Sequence, residues 1–322
     1  MRTAASTLCI LFTACLLPLA AHAAQTFNTG TRGGGQDFAY TYNTADGQAR
    51  ALQFRLNLDD IRRGSEEFRR ISTGDSQAYR LAAMQKVAQG MQNPNLDIRL
   101  TPIPNGIDIA MRGRGIPRNV LEQNYKVLEE AGRNADSTFL ANHMYAVARS
   151  AGNVDFIRPD HAAIAKRYTG AMQPVAQAIL QQVPGASQNP RAFINAALNW
   201  LQTIPYDTLD NRTTSNGAGF QTPYGLILGN MGDCDSKATA LAALIRAAYP
   251  SLPLTIIYVP DHAFLGVGLP QTDADYALST QHGIFVLADA TGPRLSPLGQ
   301  IDTETRDKLK RQSSKTELVP IR

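Results

Sequence analysis

The chain has 322 residues, 43% hydrophobic, 18% charged and 7% aromatic, which is enough apolar material to bury a core and excludes a disordered or low-complexity protein. Its 31 Lys and Arg against 27 Asp and Glu leave a formal charge of +4 with no run of five or six like charges, which argues against nucleic acid as a partner.

The N-terminus opens with a basic residue, Arg2, followed by an apolar stretch from Leu8 to Ala20 and the small-x-small end Ala21-His22-Ala23. These are the parts of a secretory signal, and the apolar stretch is shorter than the ~20 residues that span a bilayer. We therefore expect residues 1–23 to be cleaved, no membrane span afterwards, and a periplasmic or secreted protein. Cleavage removes Cys9 and Cys15 and leaves Cys234 alone. An intramolecular disulfide, a CxxC redox site and a Cys-rich zinc site are then excluded. A lone thiol is either a small buried hydrophobe or a chemical group, and its neighbours must decide.

Four glycines between Gly30 and Gly35 predict a loose mature N-terminus, with order beginning near Phe38. Residues 50–57 alternate, placing Leu52, Phe54 and Leu56 on one side of a strand, and 97–113 reads as a hairpin about Asn105-Gly106. Helices are expected over 75–92 and 118–133, and from Ile164 to Val183 with a break at Gly170 and Pro174. The turn-rich stretch Pro184 to Gln188 is the candidate boundary between an N-terminal α+β region (24–185), largely helical, and a second domain (186–300). Asn189-Pro190 is an N-cap with Pro at the first helical position, opening a helix with Phe193, Ile194, Leu198 and Leu201 inward. Residues 301–322 read as a polar tail, a short surface helix with a frayed end.

No HExxH, GxSxG, P-loop or dinucleotide fingerprint occurs, so no cofactor is required by any motif. The stretch from Thr222 to Tyr249 reads as a loop running into a helix. Gly232 and Asp233 suit the entry and N-cap, and Leu241, Leu244, Ile245 and Ala248 form an inward face ending at Pro250. Cys234 then sits in the first turn, where unsatisfied N–H groups and the helix dipole favour a thiolate. Three strands follow, at 254–259, 262–268 and 283–289. If the last two are antiparallel with His262 opposite Asp289, Gly268 faces Gly283 and 269–282 is a loop. That register brings a base and its orienting carboxylate to one sheet edge, where the helix N-terminus can add Cys234.

The blocks GDCDSKATALAALIRAAYP, DHAFLGV and LADATGP resemble those of the transglutaminase-like superfamily on the papain-like fold. With Thr222-Pro223, Leu226 and Gly229 leading to Cys234, the chain is most similar to bacterial exported transglutaminase-like cysteine peptidases, over roughly 190–295. The resemblance implies an α+β core with a Cys-bearing helix packed on an antiparallel sheet that carries the His and Asp. It also implies Cys234 as nucleophile, His262 as base and Asp289 as the third member. By the same analogy Gln221, then Asn230, is a candidate side-chain donor to an oxyanion, beside the Cys234 N–H. Asp233 and Asp235 are candidates to hold calcium with loop carbonyls, against the plainer reading of a helix N-terminal carboxylate and an ion pair with Lys237. The expected activity is thiol-dependent cleavage of a peptide or isopeptide amide in a protein or peptide substrate of the cell envelope. The alternatives are acyl transfer from glutamine to an amine, and a non-catalytic periplasmic binding module on a degenerate peptidase fold.

His143, His161 and His282 show no ligand spacing and are expected on the surface or in loops. Asn211-Arg212-Thr213 fits a glycosylation acceptor in a eukaryotic secretory pathway only. The segments 207–220 and 269–282 are rich enough in loop-forming residues to serve as lids.

Overall fold

In the computed structural model, residues 25–321 are described except 92, 105, 150–152, 212–218 and 312–315. The expected signal, Asn105 of the expected hairpin turn and two residues of the glycosylation acceptor lie outside them. The N-terminal region opens with a three-stranded antiparallel sheet, β1 (Gln25–Arg32), β2 (Gly35–Asn43) and β3 (Ala49–Asn57). The expectation of a loose start is corrected here. Gly33 and Gly34 have φ of +49° and +74°, the left-handed pair that a tight two-residue hairpin requires, so the glycines make the turn. Phe27 of β1 packs on Tyr40, and Leu52, Phe54 and Leu56 are buried together on β3, as their alternation predicts.

Helices α1 (Leu58–Glu67) and α2 (Thr73–Gly90) follow, then the hairpin β4 (Leu96–Ile103) and β5 (Gly106–Gly113). Helix α3 (Arg118–Asn142) runs nine residues past its expected end and leads into the hairpin β6 (Tyr145–Arg149) and β7 (Asp155–Pro159). The apolar stripe from Ile164 breaks as expected into α4 (His161–Arg167) and α5 (Gln173–Gln182), with Pro174 in the first turn of α5.

The stretch at 184–188 is a turn, and the hydrophobic core continues through it. Helix α6 (Pro190–Thr203), capped by Asn189, carries fully buried Trp200, whose ring meets Tyr40 of β2 and Phe54 of β3 edge-on at 5.3 and 5.9 Å. Such pairs add about 1 kcal/mol each beyond area burial, so the N-terminal sheet and α6 share one core. After α7 (Pro223–Gly229), helix α8 (Cys234–Ala248) is buried along most of its length and packs against α4, α5 and a five-stranded sheet.

That sheet contains β8 (Leu254–Val259), β9 (His262–Val267), β10 (Ala277–Thr280), β11 (Gly283–Ala288) and β12 (Glu317–Ile321), ordered β10-β11-β9-β8-β12 and antiparallel throughout. Two expectations are corrected. The segment 269–282 is not all loop, because β10 forms a hairpin with β11 in which Thr280 pairs with Gly283. The C-terminal tail is not frayed to its end. After helix α9 (Thr303–Arg311), β12 pairs with β8, Ile321 is buried, and Glu317 holds Arg158 through two hydrogen bonds of 3.0 and 2.7 Å.

Candidate functional site

The approach to Cys234 is built by local turn chemistry. Thr222 caps α7, and Asn230 ends it in the left-handed conformation with φ of +47°, which asparagine tolerates better than most residues. The reversed chain is then stitched to the segment after α6. Gly232 N–H donates to the Pro205 carbonyl at 3.2 Å, and Asp207 N–H donates to the Gly232 carbonyl at 3.3 Å. Asp233 is the N-cap of α8, its Oδ1 accepting from the Ser236 amide at 3.1 Å, so Cys234 occupies the first helical position, half-buried.

His262 begins β9 and Asp289 follows β11, and their side chains meet, Nε2 to Oδ2, at 2.9 Å. The register differs from the expected one. Val286 pairs with Val267 and Ala288 with Leu265, a pairing that puts Asp289 level with Phe264 rather than His262. The difference is two residues, one full side-chain period, so His262 and Asp289 stay on the same face and meet diagonally. A slip of one would have separated them.

Burial opposes a charge on His262, but hydrogen bonds to Asp289 and Cys234, with the charges of both, outweigh it and push the imidazole up to about 10. Asp289 occupies Nε2, which leaves Nδ1 as the ring nitrogen for Cys234. Asp289 is itself buried, yet bonding to His262 and to the Thr291 amide holds its carboxyl below the usual range.

Residues that spacing did not single out brace this edge. Gln202 of α6, buried, donates from Nε2 to the carbonyls of Asp289 at 2.6 Å and Ser296 at 2.8 Å, and its Oε1 accepts from the Ser296 amide at 2.9 Å. Gly292 lies so close that a Cβ there would stand 2.1 Å from the Gln202 carbonyl oxygen. Lys237 is fully buried and donates to the carbonyls of Ile204 at 2.6 Å and Thr291 at 2.5 Å, tying α8 to the segments before and after it. Burial lowers its ammonium to about 8 against the nearby charges of Asp289, Asp233 and Cys234.

Asp235 pairs with His161 instead of Lys237, with Nε2 and Oδ2 3.1 Å apart. His161 is therefore neither a surface nor a loop residue. It opens α4, is buried to 2% exposure, meets the Phe220 ring at a centroid distance of 4.8 Å, and shares a hydrogen bond between Nδ1 and the Tyr258 hydroxyl. Burial opposes the negative charge on Asp235, but His161 overrides it and draws the carboxyl down. Burial, and then the charge of Asp235, pushes Asp233 up. Asp233 and Asp235 are thus adjacent, one as a helix cap and the other as an ion-pair partner. Among the described residues no group of three or more His, Cys, Asp or Glu side chains gathers as a metal cage.

The amide oxygens of the two side-chain candidates for the oxyanion face other segments. The Gln221 amide oxygen lies against Gly225 of α7, 2.2 Å from where a Cβ would stand, and Asn230 Oδ1 accepts from Gln25 Nε2 of β1 at 3.2 Å. The Cys234 N–H has no acceptor among the described residues, as expected of a first-turn amide. Tyr206, in the bridge beside Gly232, is 50% exposed at this point. His143 bonds back to the Phe139 carbonyl at 2.7 Å, half-buried, and His282 lies exposed in the turn between β10 and β11, away from this cluster.

What the arrangement can do follows from its order: a sulfur at a helix N-terminus, a protonated imidazole against it, and a buried carboxylate fixing the imidazole. Among the described residues no helix is long and apolar enough to cross a membrane. No known protein family, curated protein or solved structure matches the chain.

Proposed function

We propose that this protein is an exported thiol hydrolase that cleaves a peptide or isopeptide amide through a thioester on Cys234. The observation that carries the reading is His262 held at 2.9 Å by Asp289, with Cys234 at the first position of α8 near enough for its charge to favour the imidazolium. The packing of α8 on an antiparallel sheet that bears the His and Asp at one end supports the papain-like, transglutaminase-like core that the sequence blocks resemble.

In the first step Cys234 Sγ bonds to the carbonyl carbon, and His262 gives its proton to the departing amine as the C–N bond breaks. In the second, water attacks the thioester, His262 takes the water's proton, and the carboxylic acid leaves as sulfur returns to its starting state. Asp289 accepts from Nε2–H throughout, which keeps Nδ1 toward sulfur and stabilises the imidazolium.

The test needs no substrate, because Cys234 is the sole thiol once the leader is removed. The rate of Cys234 alkylation by iodoacetamide is followed against pH by mass spectrometry in the protein and in His262→Ala. We expect a rate that stays high below pH 7 in the first and drops at least tenfold in the second. A slow rate that rises only near pH 8.5 and is the same in both would refute the reading.

A further inference from the structure

We propose that the hydroxyl of Tyr206 is the second oxyanion donor, acting with the Cys234 N–H on the acyl oxygen of the substrate. The inference rests on the thiol-hydrolase reading and adds to it a donor other than Gln221 and Asn230.

Four observations place Tyr206 there. Its backbone bridges to Gly232, two residues before the nucleophile, and the hydrogen bonds on either side of the bridge fix its position. It is half exposed, in a segment where Pro205, Thr208 and Asp210 are also exposed while Ile204 and Leu209 are buried. Its hydroxyl has no hydrogen-bond partner among the described residues, so nothing there competes for the O–H. Burial, and after it the charges of Cys234, Asp233, Asp235 and Asp210, pushes the phenol up, which puts the ring within electrostatic reach of the sulfur and keeps the hydroxyl protonated.

The chemistry needs two donors aimed at the oxygen that becomes negative. When Sγ bonds to the carbonyl carbon, the C=O π pair moves onto oxygen. The Cys234 N–H and the Tyr206 O–H donate to that oxygen, and the pair returns when the C–N bond breaks and His262 protonates the amine. Alkylation by a haloacetamide forms a C–S bond by displacement and develops no such oxyanion, so the two reactions separate this role from activation of the thiol.

The experiment compares the protein with Tyr206→Phe, which keeps the ring and removes the hydroxyl. Two probes are used: iodoacetamide for displacement and p-nitrophenyl acetate for acyl transfer, each read as the Cys234 adduct by mass spectrometry, with p-nitrophenolate release as the second readout. We expect acylation to fall by roughly tenfold or more in Tyr206→Phe, with alkylation and thermal midpoint unchanged. Equal acylation rates overturn the assignment. A parallel fall in both reactions overturns it too, because it assigns Tyr206 a structural role. Alkylation of the unsubstituted protein that does not depend on His262 overturns the thiol-hydrolase reading itself, and is seen in a different protein sample from the other two outcomes.

Discussion

Replacing Asp289 with Asn keeps the shape of the side chain and removes the charge beside His262. The imidazole is held near 10 against its usual 6.5, which corresponds to about 5 kcal/mol of preference for the protonated form in the folded protein. Asp289 and Cys234 supply that preference against burial, and an even division assigns Asp289 about 2–3 kcal/mol. Because the folded value is raised, this stabilisation is present in full below pH 6.5 and is lost as pH rises through about 10. The cost of Asp289→Asn should therefore be about 2–3 kcal/mol at pH 6 and shrink towards zero near pH 10. Urea unfolding of both proteins at half-unit steps between pH 5 and 10 measures it, and titration of the His262 ring by NMR should show its midpoint falling by about two units. A cost that is the same at every pH would mean that Asp289 acts through packing and neutral hydrogen bonds, and the electrostatic argument would be wrong.

Gln202→Leu removes three hydrogen bonds and leaves the carbonyls of Asp289 and Ser296 and the Ser296 amide without them. We expect a loss of about 3 kcal/mol in urea unfolding and, because Asp289 loses its brace, acylation of Cys234 slowed by on the order of a hundredfold. Undiminished acylation in the folded variant would show that Asp289 is held by other means. Trp200→Ala should cost about 3–5 kcal/mol and lower one cooperative transition, since the ring joins β2 and β3 to α6. Two separate transitions by calorimetry would instead make 184–188 a true domain boundary.

Much of the site was legible because its signals are local. Asp233 before Cys234, an inward stripe at Leu241, Leu244 and Ile245, and a stop at Pro250 are decided within one helix. The apolar runs in 254–259, 262–268 and 283–289 likewise belong to single strands. The exact pairing was not legible, since a displacement of two residues leaves every side chain on the same face and the hydrophobic pattern cannot distinguish the two registers. Gly33 and Gly34 carried a readable turn signal that the density of glycines obscured, because the same residues serve a tight turn and a loose end.

His161, Gln202 and Tyr206 lie 73, 32 and 28 positions before Cys234 in the numbering, and no periodicity connects them to it. The only hints were a polar Gln beside the apolar stripe of α6 and a His opening the stripe of α4. What the sequence alone determined is part of the set of elements, the thiol at a helix N-terminus, and the His and Asp on strands that follow it. What tertiary structure decided is which buried polar groups close that set. His161 answers the charge of Asp235, Gln202 fixes Asp289, and a backbone bridge joins Tyr206 to Gly232, two residues before Cys234. The physical reason is that a hydrogen bond or ion pair across a core depends on where two distant segments come to rest. The spacing of residues along one segment encodes which face it buries, and not the polar partner that waits on the other side.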